Sequence, residues 1–137
     1  MIELEQIYDT LEPYIDRETI LPDSDLNVDQ GVDGDDFDEM MAQYQKAFNV
    51  DMTSYLWYFH SAEEGAIHSI GAAFSKPPYE RVDHIPVTPR MLQDFAEKGK
   101  WDLEYPVHKL PQYRWDGIIN VLLLVLFLSW ALYSCLS

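Results

Sequence analysis

A single cysteine, Cys135, occurs among the 137 residues, and one thiol cannot close an internal disulfide. Basic residues are also scarce: nine Lys and Arg stand against 24 Asp and Glu, a formal net charge of −15. Such a surface repels nucleic acid and anionic lipid headgroups and attracts basic protein patches. The expected partners are therefore a basic protein surface, with no nucleic acid. Catalytic signatures are missing as well. No GxSxG, P-loop or GxGxxG occurs, and His60, His68, His84 and His108 are scattered without HExxH or His/Cys spacing for zinc. His60 and His68 flank Glu63 and Glu64, which would suit acid–base work. A polar loop beside an aromatic segment explains the same pattern, and the expectation is that the chain is not an enzyme. The N-terminus opens MIELEQIYDT, acidic and without an apolar run, so no secretory signal is expected there.

What is present begins at the other end. Residues 118–137, IINVLLLVLFLSWALYSCLS, contain no Asp, Glu, Lys or Arg. At about 1.5 Å rise per residue this run makes roughly 30 Å of helix, the thickness of a bilayer's hydrocarbon core. A buried core helix is usually shorter and keeps a polar edge. Here Asn120, Ser129, Ser134 and Cys135 form no continuous stripe, and no small-xxx-small face for dimerisation occurs. Tyr113 and Trp115 lie at the near end, with Trp130 and Tyr133 toward the far end, as in an aromatic belt. Trp115, Ile118, Leu123, Phe127, Trp130 and Tyr133 are the residues expected to meet the lipid bilayer. Lys109 and Arg114 precede the run and nothing basic follows it, which predicts a cytoplasmic N-terminal side. The expectation is a single-pass tail anchor in a bacterial inner membrane.

Without the span about 115 residues remain, enough for one small domain. The charge sits in its first half. Residues 1–64 hold 17 acidic and 2 basic residues, a balance of −15, whereas the rest holds 7 of each. Three regions are expected: an acidic helical part over 1–75, a short strand and helix extension over 76–112, and the transmembrane segment over 113–137.

Ile2, Leu4, Ile7, Leu11 and Ile15 recur at roughly helical spacing, and Pro13 marks an end or kink. LPDSDLNVDQGVDGDD then reads as loop. A second helix is expected from Asp36, with Asp36, Asp38 and Glu39 at its positive N-terminal end. Its apolar residues Phe37, Met40, Met41, Tyr44 and Phe48 share one face, and Asn49 is a natural stop. VDMTSYLWYFH is dense in aromatic and β-branched residues and fits either a short strand or a buried connecting segment.

An acidic, Gly-containing loop Asp29-Gln30-Gly31-Val32-Asp33-Gly34-Asp35-Asp36 leads through Glu39 to Phe48-Asn49-Val50-Asp51-Met52 without insertion or deletion. In that register the first sixty residues resemble the acyl carrier proteins. The resemblance implies a helical domain that presents an acidic helix to basic patches on partner enzymes, here through Asp33, Asp35, Asp36, Asp38 and Glu39. Gly34 occupies the position of the carriers' phosphopantetheine serine, so no cofactor is expected. Ser24, in Asp-Ser-Asp-Leu, is the alternative attachment site, ten residues earlier. The same Asp cluster fits calcium poorly. An EF-hand counted from Asp29 puts Gly31 at position 3 and Met40 at position 12, where ligands are required. No dedicated metal site is expected.

In the second half Lys76-Pro77-Pro78 reads as a turn and residues 82–87 as a short extended segment. Thr88 and Pro89 form a helix start, Met91, Leu92 and Phe95 its apolar face, and Gly99 its stop. Trp101, Leu103 and Tyr105 alternate with Asp102 and Glu104, the pattern of a short strand. This Thr-Pro-Arg-Met-Leu segment, with the Gly-Asp-Asp replacement, resembles a group of enterobacterial acyl-carrier-like proteins of unknown function. The expected fold is mainly α: a small carrier-like helical domain, a short α+β extension and one C-terminal transmembrane helix. The expected function is non-catalytic docking of a basic cytoplasmic partner. The alternatives are a small inner-membrane immunity or regulatory protein acting through its transmembrane helix, and an acyl carrier modified at Ser24.

Overall fold

The computed structural model describes residues 1–64 and 69–137; His68 and its pairing with His60 around Glu63 and Glu64 lie outside the described residues. Helix α1 (Leu4–Leu11) opens with a reciprocal cap between Glu3 and Gln6, which satisfies two backbone donors at its start. Ile7 and Leu11, one turn apart, are fully buried. The helix stops two residues before Pro13, so Ile2 and Ile15 flank it and pack partly buried against the core.

Helix α2 (Gly34–Phe48) begins two residues earlier than expected because Asp33, not Asp35, is its N-cap. Phe37, Met40, Met41 and Tyr44 are all buried on one face, and each large side chain contributes about 1.5–3 kcal/mol by leaving water. The Tyr44 hydroxyl donates to the Leu92 carbonyl at 2.7 Å, so its polar end is satisfied inside the core. Asn49 ends the helix in the left-handed conformation, with φ 52°.

Helix α3 (Ile70–Phe74) is one short turn with Ser69 as its cap. Helix α4 (Pro89–Lys98) follows its expected signals closely. The Thr88 hydroxyl accepts from Met91 N–H, Pro89 occupies the first turn and Gly99 closes the end. Helix α5 (Trp115–Leu136) is long and apolar enough to cross a membrane, and none of its most apolar window is buried.

The expected strands are absent among the described residues. Asp51 and Lys100 form one isolated parallel bridge, closed by Asp51 N–H to Gly99 and Trp101 N–H to Asp51. The ladder does not continue: the next donor, Thr53 N–H, turns back to Asp51 Oδ1 at 2.9 Å, and the Trp101 carbonyl accepts the Ser54 hydroxyl at 2.7 Å. Beyond it the aromatic segment tightens into a 3₁₀ turn, Trp57–Phe59. The alternation at 101–105 still reflects burial: Trp101 is buried and Leu103 and Tyr105 half-buried, while Asp102 and Glu104 are exposed. The fold is therefore mainly helical, with no β extension.

One core cluster joins α1, α2 and α4 with Leu26, Val32, Val50, Val87 and Trp101. Its side chains come from residues 1–75 and from 76–112 alike. The loop between α1 and α2 is tied down by Leu26 N–H to Val87 and Arg90 N–H to Pro22. Arg17 clamps α1 through Glu5 and Asp9. The long helix stands apart from this core and packs on α3.

Candidate docking site

The start of α2 is built by one carboxylate. Asp33 Oδ1 accepts Gly34 N–H at 2.9 Å and Ala62 N–H at 2.7 Å, while Gly34 N–H also reaches the Ala62 carbonyl at 3.2 Å. This pulls residues 62–64 over the N-terminus of the helix. Gly34 has φ +55°, and a Cβ there would run into the Glu64 side chain. Glycine is thus required by backbone conformation and by the close approach of Glu64.

Beside this junction lies a cavity of about 600 Å³ lined by Asp35, Asp38, Trp57, Glu63, Glu64 and Arg114, with Gly34 and Ala62 at its base. Four carboxylates face one guanidinium. Arg114 is already committed: it grips Asp116 through Nε to Oδ1 at 3.0 Å and a second nitrogen to Oδ2 at 2.6 Å. It grips Glu63 through two further bonds of 2.9 Å. These planar, bidentate pairs, the Asp116 bonds first and the Glu63 bonds second, hold the guanidinium pKa above its ordinary value. Asp38 is shifted upward too, which for an acid disfavours the charged form. Partial burial, then the negative charges of Asp35 and Glu63, raise its pKa above the usual carboxylate value.

The five acids expected to meet a partner are not equivalent. Asp33 is occupied as the helix cap. Asp35 and Asp38 face the cavity. Asp36 and Glu39 lie outside the cavity on the neighbouring flank of α2, beside Tyr14, whose pKa is raised first by desolvation and then by the Glu39 and Asp36 charges. Glu63, Glu64 and Trp57 join the site from the segment after α2, and Arg114 from the residue before α5. In the sequence Glu63 and Glu64 stand out only as neighbours of histidines, and Arg114 only as an orientation signal. No pattern along the chain links residues 51 positions apart.

The remaining candidates fall elsewhere. Ser24 is buried, and its hydroxyl accepts Leu21 N–H at 2.9 Å. The Asp29 carboxylate accepts Asp25 N–H at 2.7 Å, and Asp25 itself holds His84 Nε2 at 2.6 Å. Among the described residues no group of His, Cys, Asp and Glu is arranged to hold a metal ion. His60 is fully buried. Its Nδ1 lies 2.8 Å from the Ile85 carbonyl, which can only accept, so Nδ1 carries the proton and Nε2 accepts from the Tyr105 hydroxyl at 2.8 Å. That hydroxyl in turn accepts Leu56 N–H at 3.1 Å and Trp101 Nε1–H at 2.9 Å. Burial pushes the His60 pKa down to about 4. The imidazole is a satisfied, neutral structural group. Along α5, Trp115, Ile118, Leu123, Phe127, Trp130 and Tyr133 are all exposed.

Comparison with known proteins corrects the carrier resemblance. A family model described as a protein of unknown function, DUF1493, matches residues 2–104. No curated protein and no solved structure matches the chain. The match is to that family and not to the acyl carrier proteins, so the carrier-like register of residues 29–52 is overturned. Its features have local causes: Asp33 caps α2, and Gly34 fits a left-handed backbone under Glu64. The matched region holds the whole core and ends ten residues short of Arg114, so the cavity is shared between family-matched residues and the residue that opens α5. On that match, the chain belongs to the DUF1493 family of proteins of unknown function.

Proposed function

We propose that this chain is a non-catalytic, single-pass protein of the bacterial inner membrane whose cytoplasmic domain docks a basic segment of a partner protein in the acidic cavity beside α5. The observation that carries the reading is the convergence of Asp35, Asp38, Glu63 and Glu64 on one cavity whose single cation, Arg114, is already paired with Glu63 and Asp116. A volume near 600 Å³ lies in the range of small-ligand pockets and accepts one or two long side chains. Burial and then repulsion from Asp35 and Glu63 raise the Asp38 pKa, and an entering Lys or Arg would offset the repulsion. Trp57 lines the same cavity, and an indole ring there would favour a guanidinium or ammonium group over a neutral one. Arg114 directly precedes α5, so the docked segment lies at the membrane surface. Lys109 and Arg114 on the domain side of α5 favour a cytoplasmic domain.

The test is a pull-down of the tagged full-length chain from detergent-solubilised native membranes. The wild type should retain a partner whose recovery falls as salt rises, because exposed charge pairs are screened. Asp35→Lys with Asp38→Lys should lose it. Asp36→Lys with Glu39→Lys, outside the cavity on the neighbouring flank of α2, should keep it. Equal recovery by both variants would sink the assignment to the cavity.

A further inference from the structure

Helix α3 contains no polar residue: its sequence is Ile-Gly-Ala-Ala-Phe. Ile70, Ala73 and Phe74 are exposed at i, i+3 and i+4, with Ile70 at 59 % and Phe74 at 77 %. One whole apolar face of the helix thus lacks a protein partner among the described residues. The opposite side is fastened to the first turns of α5. Gly71 lies so close to the Asp116 carbonyl that a Cβ would collide with backbone. Gly71 N–H donates to Asn120 Oδ1 at 2.7 Å, and Asn120 Nδ2 donates to the Ser69 hydroxyl at 2.8 Å. Asn120, the first polar side chain inside the apolar run, therefore has both ends satisfied by α3. At the other end of α3, Arg81 donates to the Lys76 carbonyl at 2.7 Å and the Ser75 hydroxyl at 3.2 Å.

The height of this element follows from α5. From Gly117 to Leu136 the helix holds twenty residues, which at about 1.5 Å each spans roughly the 30 Å hydrocarbon core. The ion-paired Arg114 and Asp116 then sit at the headgroup level. A helix docked over Asp116 and Asn120 sits at the boundary between headgroups and acyl chains. We infer that α3 is a membrane-interface element: its Ile70, Ala73 and Phe74 face inserts into the lipid boundary beside α5, and Asn120 locks it there. Lipid is the occupant because α3 is held against Asp116 and Asn120, in the first turns of the exposed apolar helix α5. Interfacial helices bury an apolar face to this depth and keep charged neighbours, here exposed Lys76, on the wet side. The inference rests on α5 crossing the membrane, and the test separates the two.

The full-length chain with Cys135→Ser is reconstituted in phosphatidylcholine and phosphatidylglycerol nanodiscs. A nitroxide is attached at Phe74→Cys, or at Ile70→Cys should the first label perturb folding. Collision with oxygen, which partitions into lipid, is compared with collision with a water-soluble nickel chelate. Labels at Leu124→Cys and Val107→Cys provide the mid-span and water references. The oxygen-to-nickel ratio at position 74 should exceed that at 107 several-fold and fall below that at 124. A ratio equal to that at 107, with 124 in lipid, overturns the role of α3 alone. Weak collision with both agents would mean that protein, including a second copy, covers the face, and overturns it as well. A water-like ratio at 124 overturns the membrane-spanning reading of α5 and this inference with it.

Discussion

The buried imidazole of His60 makes a specific demand on pH. Its pKa is about 4 in the fold against 6.5 when unfolded. Between those values the unfolded chain binds a proton that the native chain refuses. Stability from this group is therefore complete above about pH 6.5 and falls as the medium is acidified. Each pH unit in that window is worth about 1.4 kcal/mol. Integrated from pH 7 to pH 4, with half-protonation at the lower end, the loss comes to about 3 kcal/mol. That is a large part of the 5–15 kcal/mol typical of a domain. The geometry explains why no relaxation is available. Protonating Nε2 would set an N–H against the Tyr105 hydroxyl, whose acceptor capacity is already used by Leu56 N–H and Trp101 Nε1–H. The assay is urea unfolding of the full chain in mild detergent at a series of pH values, for wild type and His60→Gln. Other groups titrate in both proteins and cancel in the difference. The stability gap between them should shrink by about 3 kcal/mol from pH 7 to pH 4. A gap that stays constant across that window would refute the buried, neutral assignment.

Two further substitutions probe the frame around the site. Tyr105→Phe removes one acceptor and one donor and strands Leu56 N–H, Trp101 Nε1–H and His60 Nε2; urea unfolding at pH 7 should show a loss of about 2–4 kcal/mol. Gly34→Ala forces a side chain into a left-handed backbone and should cost about 1–2 kcal/mol, the Glu64 side chain being free to swing aside. A neutral result in the same assay would mean that α2 starts differently. Exchanging residues 121–136 of α5 for an unrelated apolar stretch, with Asp116 and Asn120 kept, should leave partner recovery in the pull-down unchanged, whereas loss of the partner would assign recognition to the span.

Much of the helical frame was legible because its signals are local. Thr88, Pro89 and Gly99 bracket α4, Asn49 ends α2, and the Phe37, Met40, Met41, Tyr44 face is buried as its spacing requires. The apolar run at 118–137 became a single helix for the same reason. The strands failed because alternation reports burial and not pairing. Trp101 to Tyr105 alternate against the core, yet the Thr53 N–H that a ladder needed turns back to Asp51 Oδ1.

The carrier resemblance failed on similar grounds. An Asp before a helix, acids in its first turn and glycines in the loop before it are what any capped helix prefers. Such features carry little family information even in unbroken register. The cavity was out of reach for a different reason. Asp35, Glu63 and Arg114 belong to three segments, which the bonds of Asp33 and Gly34 to Ala62 and of Arg114 to Glu63 hold together.

On the docking proposal, the acidic cavity beside α5 receives a basic protein segment at the membrane. The most direct measurement places a photo-crosslinking amino acid at Glu64, on the cavity wall, in the full chain within native membranes. On irradiation a discrete adduct should form with a protein that carries a Lys- or Arg-rich segment. The adduct should vanish when Asp35→Lys and Asp38→Lys are introduced together. The same adduct in the charge-reversed chain, or no adduct in either, would contradict the account.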